Sequence, residues 1–300
     1  MTRIAVLGPG GVGGFLAAAL SHAGEDVVVV GREPTAEVIA AQGIRVQSVL
    51  LGEFDARPAA TAELSEEAPV LIVATKATGL EAALSRVRSQ PGLVVPMLNG
   101  LDHMRLLRSR FTAVAAGTIR IESDRSEPGV IVQTSPAVRV ELASDDSRLH
   151  PPLERLAETL RAAGIPALVG PGEAQILWSK LVRLTALACT TSAGDRPIGL
   201  IRDDPEWRRA LEGCVYEATA VANADGARLD PGGPLGELYA AHPELGSSMR
   251  RDIAAGREPE LDAIAGSVLR AARRHGLECP TIERLSGEIA ARAGIPKPRF

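Results

Sequence analysis

Lysine is almost missing from this chain: Lys76, Lys180 and Lys297 stand against thirty arginines. Aromatic residues are also scarce, at 3% of the total, and the formal net charge is −4 with a pI near 5.8. Few rings for base stacking and no basic footprint exclude nucleic acid as an expected partner. Cys189, Cys214 and Cys279 are odd in number and form no CxxC pair, which excludes a disulfide framework or a zinc site and leaves buried free thiols as the reading. His22, His103, His150, His242 and His275 show no ligand spacing, so no metal is expected. No apolar run approaches the roughly 18 residues needed to cross a bilayer. The N-terminal RIAVLG lacks the layout of a signal peptide, so a cytoplasmic protein with no membrane partner is expected. Three hundred residues suit two domains.

What is present begins with RIAVLG (3–8), GPGGVG (8–13), the helical-looking FLAAALSHAG and the apolar DVVVV (26–30). Strand, glycine turn, helix and strand within about 30 residues form the context in which GxGxxG marks a dinucleotide fingerprint. Gly8 permits the tight turn, Gly10 lets backbone approach a pyrophosphate, and Gly13 lets the helix pack on the sheet. The helix N-terminus, at Gly11 and Val12, then offers free amides and a favourable dipole to phosphate.

The second strand ends VVVVGRE, where an acid commonly hydrogen-bonds the ribose of NAD and an arginine accommodates the 2′-phosphate of NADP. Gly31 replaces the acid and Arg32 supplies the cation, so NADP is expected, with Glu33 as a competing feature. Lys76 follows the strand VLIVAT (70–75), within reach of cofactor phosphates. Asn99-Gly100 ends the strand LVVPML (93–98), with a helix expected near Leu101. Asn99 reads equally well as an amide aimed at cofactor or substrate and as a turn residue before a positive-φ glycine. Runs near 113–121, 129–133 and 137–142 suggest an antiparallel addition to the sheet. A helix from Pro151-Pro152 and the strand PALVG (166–170) close a Rossmann-type domain over 1–171.

From Gly172 the apolar period is near 3.6, with helices expected at about 173–192, 204–225, 233–241, 259–275 and 280–293. The fold class is therefore α/β, an N-terminal dinucleotide-binding domain followed by an all-helical substrate domain over 172–300. Lys180 lies in the apolar stretch ILWSKLVRLTALACTTS (176–192). Lysine is a compact ammonium whose pKa falls on burial, so it can pass a proton where guanidinium cannot. Such a group can protonate an oxygen as hydride reaches carbon. Its ordinary reading is a lysine snorkelling to solvent.

Taken together, GPGGVG, Lys76, Asn99-Gly100, the W-x-K-L of Trp178, Lys180 and Leu181, and SSMRRDIAAGREPELDAIAG (247–266) resemble the ketopantoate reductase (2-dehydropantoate 2-reductase) family over nearly the whole chain. The resemblance implies NADPH-dependent reduction of a small 2-keto acid to a 2-hydroxy acid, as in pantothenate biosynthesis. It also implies Lys180 as the acid, Glu260 as a substrate-positioning group and Ser248 on the substrate carboxylate. Asn99 would border cofactor and substrate, Arg32 and Lys76 would contact the 2′-phosphate, and a homodimer is an open option. The chain departs from the family pattern four and eight residues after the lysine, where asparagines are usual and Leu184 and Ala188 stand here. Those two positions should shape the substrate site, since losing polar partners weakens discrimination for a hydroxylated substrate. Thr185 and Arg183 are the nearest polar substitutes. Ser247 and Ser248 also suit a helix cap, and Glu260 a first helical turn, without any site role. The alternatives are a reductase of a more apolar keto substrate and a non-catalytic NADP(H)-binding sensor.

Overall fold

The computed structural model describes residues 3–300. They form two compact units: the chain up to Leu98 with His103–Ile176, and Asn99–Asp102 with Leu177–Phe300. The first is α/β and the second helical.

The α/β unit begins β1 (Ile4–Leu7), α1 (Gly11–His22), β2 (Val27–Val30) and α2 (Glu33–Gln42). It continues through β3 (Ile44–Ser48), β4 (Gly52–Ala56), β5 (Ala59–Thr61), β6 (Val70–Val73), α3 (Leu80–Leu84), β7 (Leu93–Pro96) and α4 (His103–Arg110). Strands β1, β2, β6 and β7 are buried at every residue, as expected of parallel strands covered on both faces. They pair in parallel in the order β5-β2-β1-β6-β7, so the chain switches sides of the sheet at β1. Such a switch point is where open α/β sheets receive ligands, outside the strands' carboxyl ends.

The remaining strands of this unit are β8 (Ala116–Arg120), β9 (Ser123–Glu127), β10 (Val130–Gln133), β11 (Arg139–Ala143) and, after α5 (His150–Ala162), β12 (Ala167–Val169). They do not extend the parallel sheet as expected but divide between two others, ordered β4-β3-β10-β9 and β12-β11-β8. The reason is the unanticipated β3–β4 hairpin, which offers β10 a parallel partner. Its signal was the alternation Ile44, Arg45, Val46, Gln47, buried and exposed in turn. A single bridge, Val94 to Val114, ties the start of this region to β7.

The helical unit contains α6 (Glu173–Gly194), α7 (Ile198–Asp203), α8 (Pro205–Ala224), α9 (Gly232–Ala240) and α10 (Ser248–Ala254). A π-helical turn at Asp262–Gly266 leads into α11 (Ser267–Arg274), and α12 (Pro280–Ala293) ends at left-handed Gly294. Two short helices, α7 and α10, span too few turns to display a period. The continuous helix expected at 259–275 instead starts later and opens with the π turn. The two compact units part inside α6, between Ile176 and Leu177. The first turn of α6 belongs to the α/β unit because Glu173 pairs there with Arg108 and receives the Asp145 amide at 3.4 Å. Fully buried Val182, Ala186, Leu211, Val215, Ile264 and Leu285 are among the core residues of the helical unit. Each large aliphatic side chain so buried contributes about 1.5–3 kcal/mol relative to exposure.

Cys189, Cys214 and Cys279 are buried and unpaired. Burial pushes Cys189 and Cys279 up to about 12 and Cys214 well above the ordinary thiol range. At neutral pH all three are protonated and inert. A thiol reagent such as DTNB should therefore titrate none of them in the native protein and all three in denaturant; rapid native labelling would refute this burial.

Candidate active site

The glycine loop follows directly from backbone demands. Gly8 has φ +94°, and a Cβ there would lie 2.6 Å from Thr75 Cγ2. At Gly13 a Cβ would come to 2.2 Å from the Gly8 carbonyl oxygen, so α1 packs this closely on the loop only without a side chain. Gly10 differs, because a Cβ there would meet nothing within 4 Å. It caps α1 in extended conformation with no side-chain hydrogen bond and no acid in the first turn. The first amides of a helix lack intrahelical partners, so those of Gly11, Val12 and Gly13 are available donors. Strand β9 lies across this end: Ser123 Oγ donates to Gly11 O at 2.8 Å and Arg125 Nη1 to Pro9 O at 3.4 Å. Gly11 is glycine because a Cβ would sit 2.3 Å from the Ser123 carbonyl oxygen. Sequence reasoning had not connected β9 with the loop.

Gly31, at the end of β2, is buried, and a Cβ there would press on the Pro9 ring at 3.1 Å. Arg32 and Glu33 are both exposed, at the start of α2. Lys76, also exposed, follows β6 and precedes a short 3-10 turn at Ala77–Gly79.

In the helical unit, Lys180 is half-buried on α6. Helical geometry puts Leu184 roughly 40° and Ala188 roughly 80° around the axis from it. Leu184 is half-buried, whereas Ala188 is fully buried, so only Leu184 presents appreciable surface. Thr185, considered as a polar substitute, is fully buried and roughly 140° from Lys180, which turns it into the core. Arg183, the other substitute, has Nε 3.1 Å from Glu237 Oε2, so its charge is already paired.

The turn reading of Asn99 holds. Gly100 takes φ +83°, and Asn99 Nδ2 donates to Glu260 Oε2 at 3.0 Å. Glu260 stands just ahead of its helix, not in the first turn. The capping role falls to buried Ser247, whose Oγ accepts from Arg250 N at 3.1 Å and lies 2.9 Å from Thr191 Oγ1. Ser248 is exposed beside it.

Trp178, two residues before Lys180, is buried and donates from Nε1 to Asp225 Oδ2 at 3.0 Å. Asp225 Oδ1 in turn lies 2.8 Å from His275 Nε2 and receives Arg274 Nη2 at 3.4 Å. Nothing in the linear sequence linked these residues. Burial works to raise the Asp225 carboxyl, but the hydrogen bonds from His275 and Trp178 and the Arg274 charge outweigh it and hold the group below the usual carboxylate range.

The "Ketopantoate reductase PanE/ApbA" family model matches residues 4–145, and its C-terminal companion matches residues 174–293. The chain belongs to the ketopantoate reductase family. It is 29% identical to a 2-dehydropantoate 2-reductase of Mycobacterium tuberculosis, over 98% of this chain and 99% of that one. It is 26% identical to an uncharacterised Bacillus subtilis oxidoreductase, YkpB, over 96% and 97% respectively. The solved 2-dehydropantoate 2-reductase of Geobacter metallireducens superposes with a TM-score of 0.88 at 26% identity, covering 96% of this chain and 99% of that one. A D-mandelate dehydrogenase solved with NADH and anilino(oxo)acetate shares the fold at a TM-score of 0.88 and 19% identity, covering 98% and 99%. As a family member the chain is an oxidoreductase of the 2-keto acid type that uses a nicotinamide cofactor, resembling 2-dehydropantoate 2-reductase.

The residues present fit such a cofactor: open space over Gly10 and an uncapped helix end with no acid in its first turn suit a pyrophosphate. Gly10→Ala should leave the melting temperature nearly unchanged and weaken NADPH binding about tenfold or more, because its new methyl enters only that open space. Gly13→Ala should instead cost about 1–3 kcal/mol of stability through overpacking. Calorimetry and NADPH titration separate the two, and equal losses of stability would contradict this account of the loop.

Asp225→Ala leaves the Trp178 N–H buried without its acceptor and should cost about 1–3 kcal/mol. The depressed carboxyl contributes stability that is fully present above its unfolded-state value, about pH 4. That contribution is lost as pH falls through the lower folded-state value. The wild-type advantage over the variant in urea unfolding should thus shrink on acidification; an advantage that grows would refute it.

Proposed function

We propose that the protein reduces a 2-keto acid with an apolar side chain, using NADPH, with Lys180 as the proton donor. The carrying observation is the face of α6, where half-buried Lys180 is followed one turn later by Leu184 and the next cation along the helix, Arg183, is paired with Glu237. Bound NADPH would supply the hydride. Lys180 Nζ then delivers its proton to the keto oxygen as that oxygen gains charge, giving the 2-hydroxy acid, and regains a proton from solvent. Exposed Ser248 would bind the substrate carboxylate. The Asn99–Glu260 pair would orient the keto group and Leu184 would meet the substrate side chain, with Ala188 backing that wall.

NADPH is favoured over NADH by the crowding of Gly31 against Pro9, which leaves no room for an acid there, and by the exposed Arg32 and Lys76. The D-mandelate dehydrogenase with NADH shows that this fold also serves the other cofactor, so the two are to be compared directly. A ketopantoate reductase of Staphylococcus aureus is described as dimeric. A homodimer working in the cytoplasm is the corresponding assembly here.

Measured against a panel of 2-keto acids, turnover should favour apolar side chains over ketopantoate and NADPH over NADH. Lys180→Ala should lower kcat about 100-fold or more, the usual range for a general acid, with NADPH affinity unchanged. Wild-type rates in Lys180→Ala would remove the acid assignment, and tight NADPH binding with no keto acid reduced would favour a sensor.

A further inference from the structure

The Asn99–Glu260 hydrogen bond joins two segments far apart in sequence, and three features hold them in register. Gly100 packs backbone to backbone on the π turn, with a Cβ at that position only 2.0 Å from Ala263 O. Asp102 and Asp262 flank the pair, and the guanidinium of Arg270 lies on both. Arg270 Nη2 and Nε donate to Asp102 Oδ2 at 2.7 and 3.1 Å. Nη1 and Nη2 donate to Asp262 Oδ1 and Oδ2 at 2.8 and 3.1 Å, and Nη2 also reaches Asp262 O at 2.8 Å. The remaining contact is Nη1 to Arg299 O at 2.8 Å. Gly266 lies midway between Asp262 and Arg270 on the helix, where a Cβ would come within 2.7 Å of Asp262 Oδ1 and 3.0 Å of Arg270 Nη1. The glycine leaves the guanidinium a path along the helix surface. π-helical turns recur at functional sites.

We propose that Arg270 is a positioning residue that sets the geometry of the Asn99–Glu260 pair by clamping Asp102 to Asp262. A planar five-donor fork can serve both carboxylates at once, which a lysine ammonium in the same place cannot match. The inference rests on Asn99 and Glu260 belonging to the substrate site, but the clamp itself is a claim about hydrogen bonding that requires no turnover.

The sequence makes a direct test available, because Asn99 and Asn223 are its two asparagines. Full-length protein labelled with ¹⁵N-asparagine should show two side-chain amide pairs, assigned with Asn99→Ala. Asn223 holds Leu229 through both N–H and C=O, at 3.0 and 2.8 Å, and reports that the fold is intact. In Arg270→Gln the Asn99 amide should move toward the shift of a solvated amide and lose its exchange protection, while the Asn223 signals stay in place. Asp102→Ala removes one arm of the clamp at a half-exposed side chain and should move the Asn99 amide in the same direction with no packing change. An Asn99 amide unmoved in Asp102→Ala overturns the proposal, whatever happens in Arg270→Gln. On any keto acid that the enzyme reduces, Arg270→Gln should raise KM about tenfold and add little to Asn99→Ala, since residues acting as one unit are non-additive. Additive losses would mean that Arg270 supports the fold alone. Absence of keto-acid reduction, with the amide shift observed, would count against the functional reading and leave the clamp standing.

Discussion

At Gly100 the main chain comes so close to Ala263 O that no side chain fits. This contact draws the four residues after Leu98 out of the α/β unit and into the helical one. Asn99 thereby meets Glu260, which stands just before the π turn. One such part-buried hydrogen bond contributes only about 1 kcal/mol net, too little to hold two segments that would each gain entropy by separating. The glycine contact supplies the proximity and the Arg270 fork supplies the orientation, so the polar pair need not stabilise itself.

Lys180 depends on a different anchor. Helix α6 is long, its first turn belongs to the α/β unit, and Trp178 is among its earliest buried side chains in the helical unit. An indole held by a carboxylate that is itself bound by His275 resists rotation of the helix about its axis. Trp178 and Lys180 are roughly 200° apart on the helix, so fixing one side sets where the other points. A side chain carried on a helix fixed this way keeps its position.

The glycine loop, the all-buried strands and the long helices were legible because each is a local demand. A turn that admits no Cβ, a run of Val and a 3.6 period are written within a dozen residues. Lys180 was conspicuous because lysine is otherwise nearly absent. The Asp225–Trp178 bond, the Arg270 clamp and the crossing of β9 over Gly11 were invisible, since each joins residues 47 or more apart whose types alone suggest only surface charge or a loop. The β3–β4 hairpin carried a readable alternation, and overlooking it misassigned the partners of β10. Glu260 and Ser247 show a subtler limit: sequence can say that a residue suits a cap, but only the fold says which neighbour takes that duty.

The departures from the family pattern follow from the same geometry. An amide at 188 would sit in a place that is now sealed, where polar atoms must find partners or destabilise the core. Alanine there lets α6 pack without such partners, and the Thr191 hydroxyl, one turn on, is already bonded to Leu187 O and Ser247 Oγ. With Arg183 paired with Glu237, half-buried Leu184 offers methyl groups one turn beyond Lys180. In the proposed site such a surface would select by exclusion: a substrate hydroxyl laid against Leu184 would lose its water and gain no replacement, a desolvation cost that a purely apolar side chain does not incur. On the function proposed above, Lys180 can be retained while the substrate changes, because it is oriented through Trp178 from one side of α6 and Leu184 lies on another.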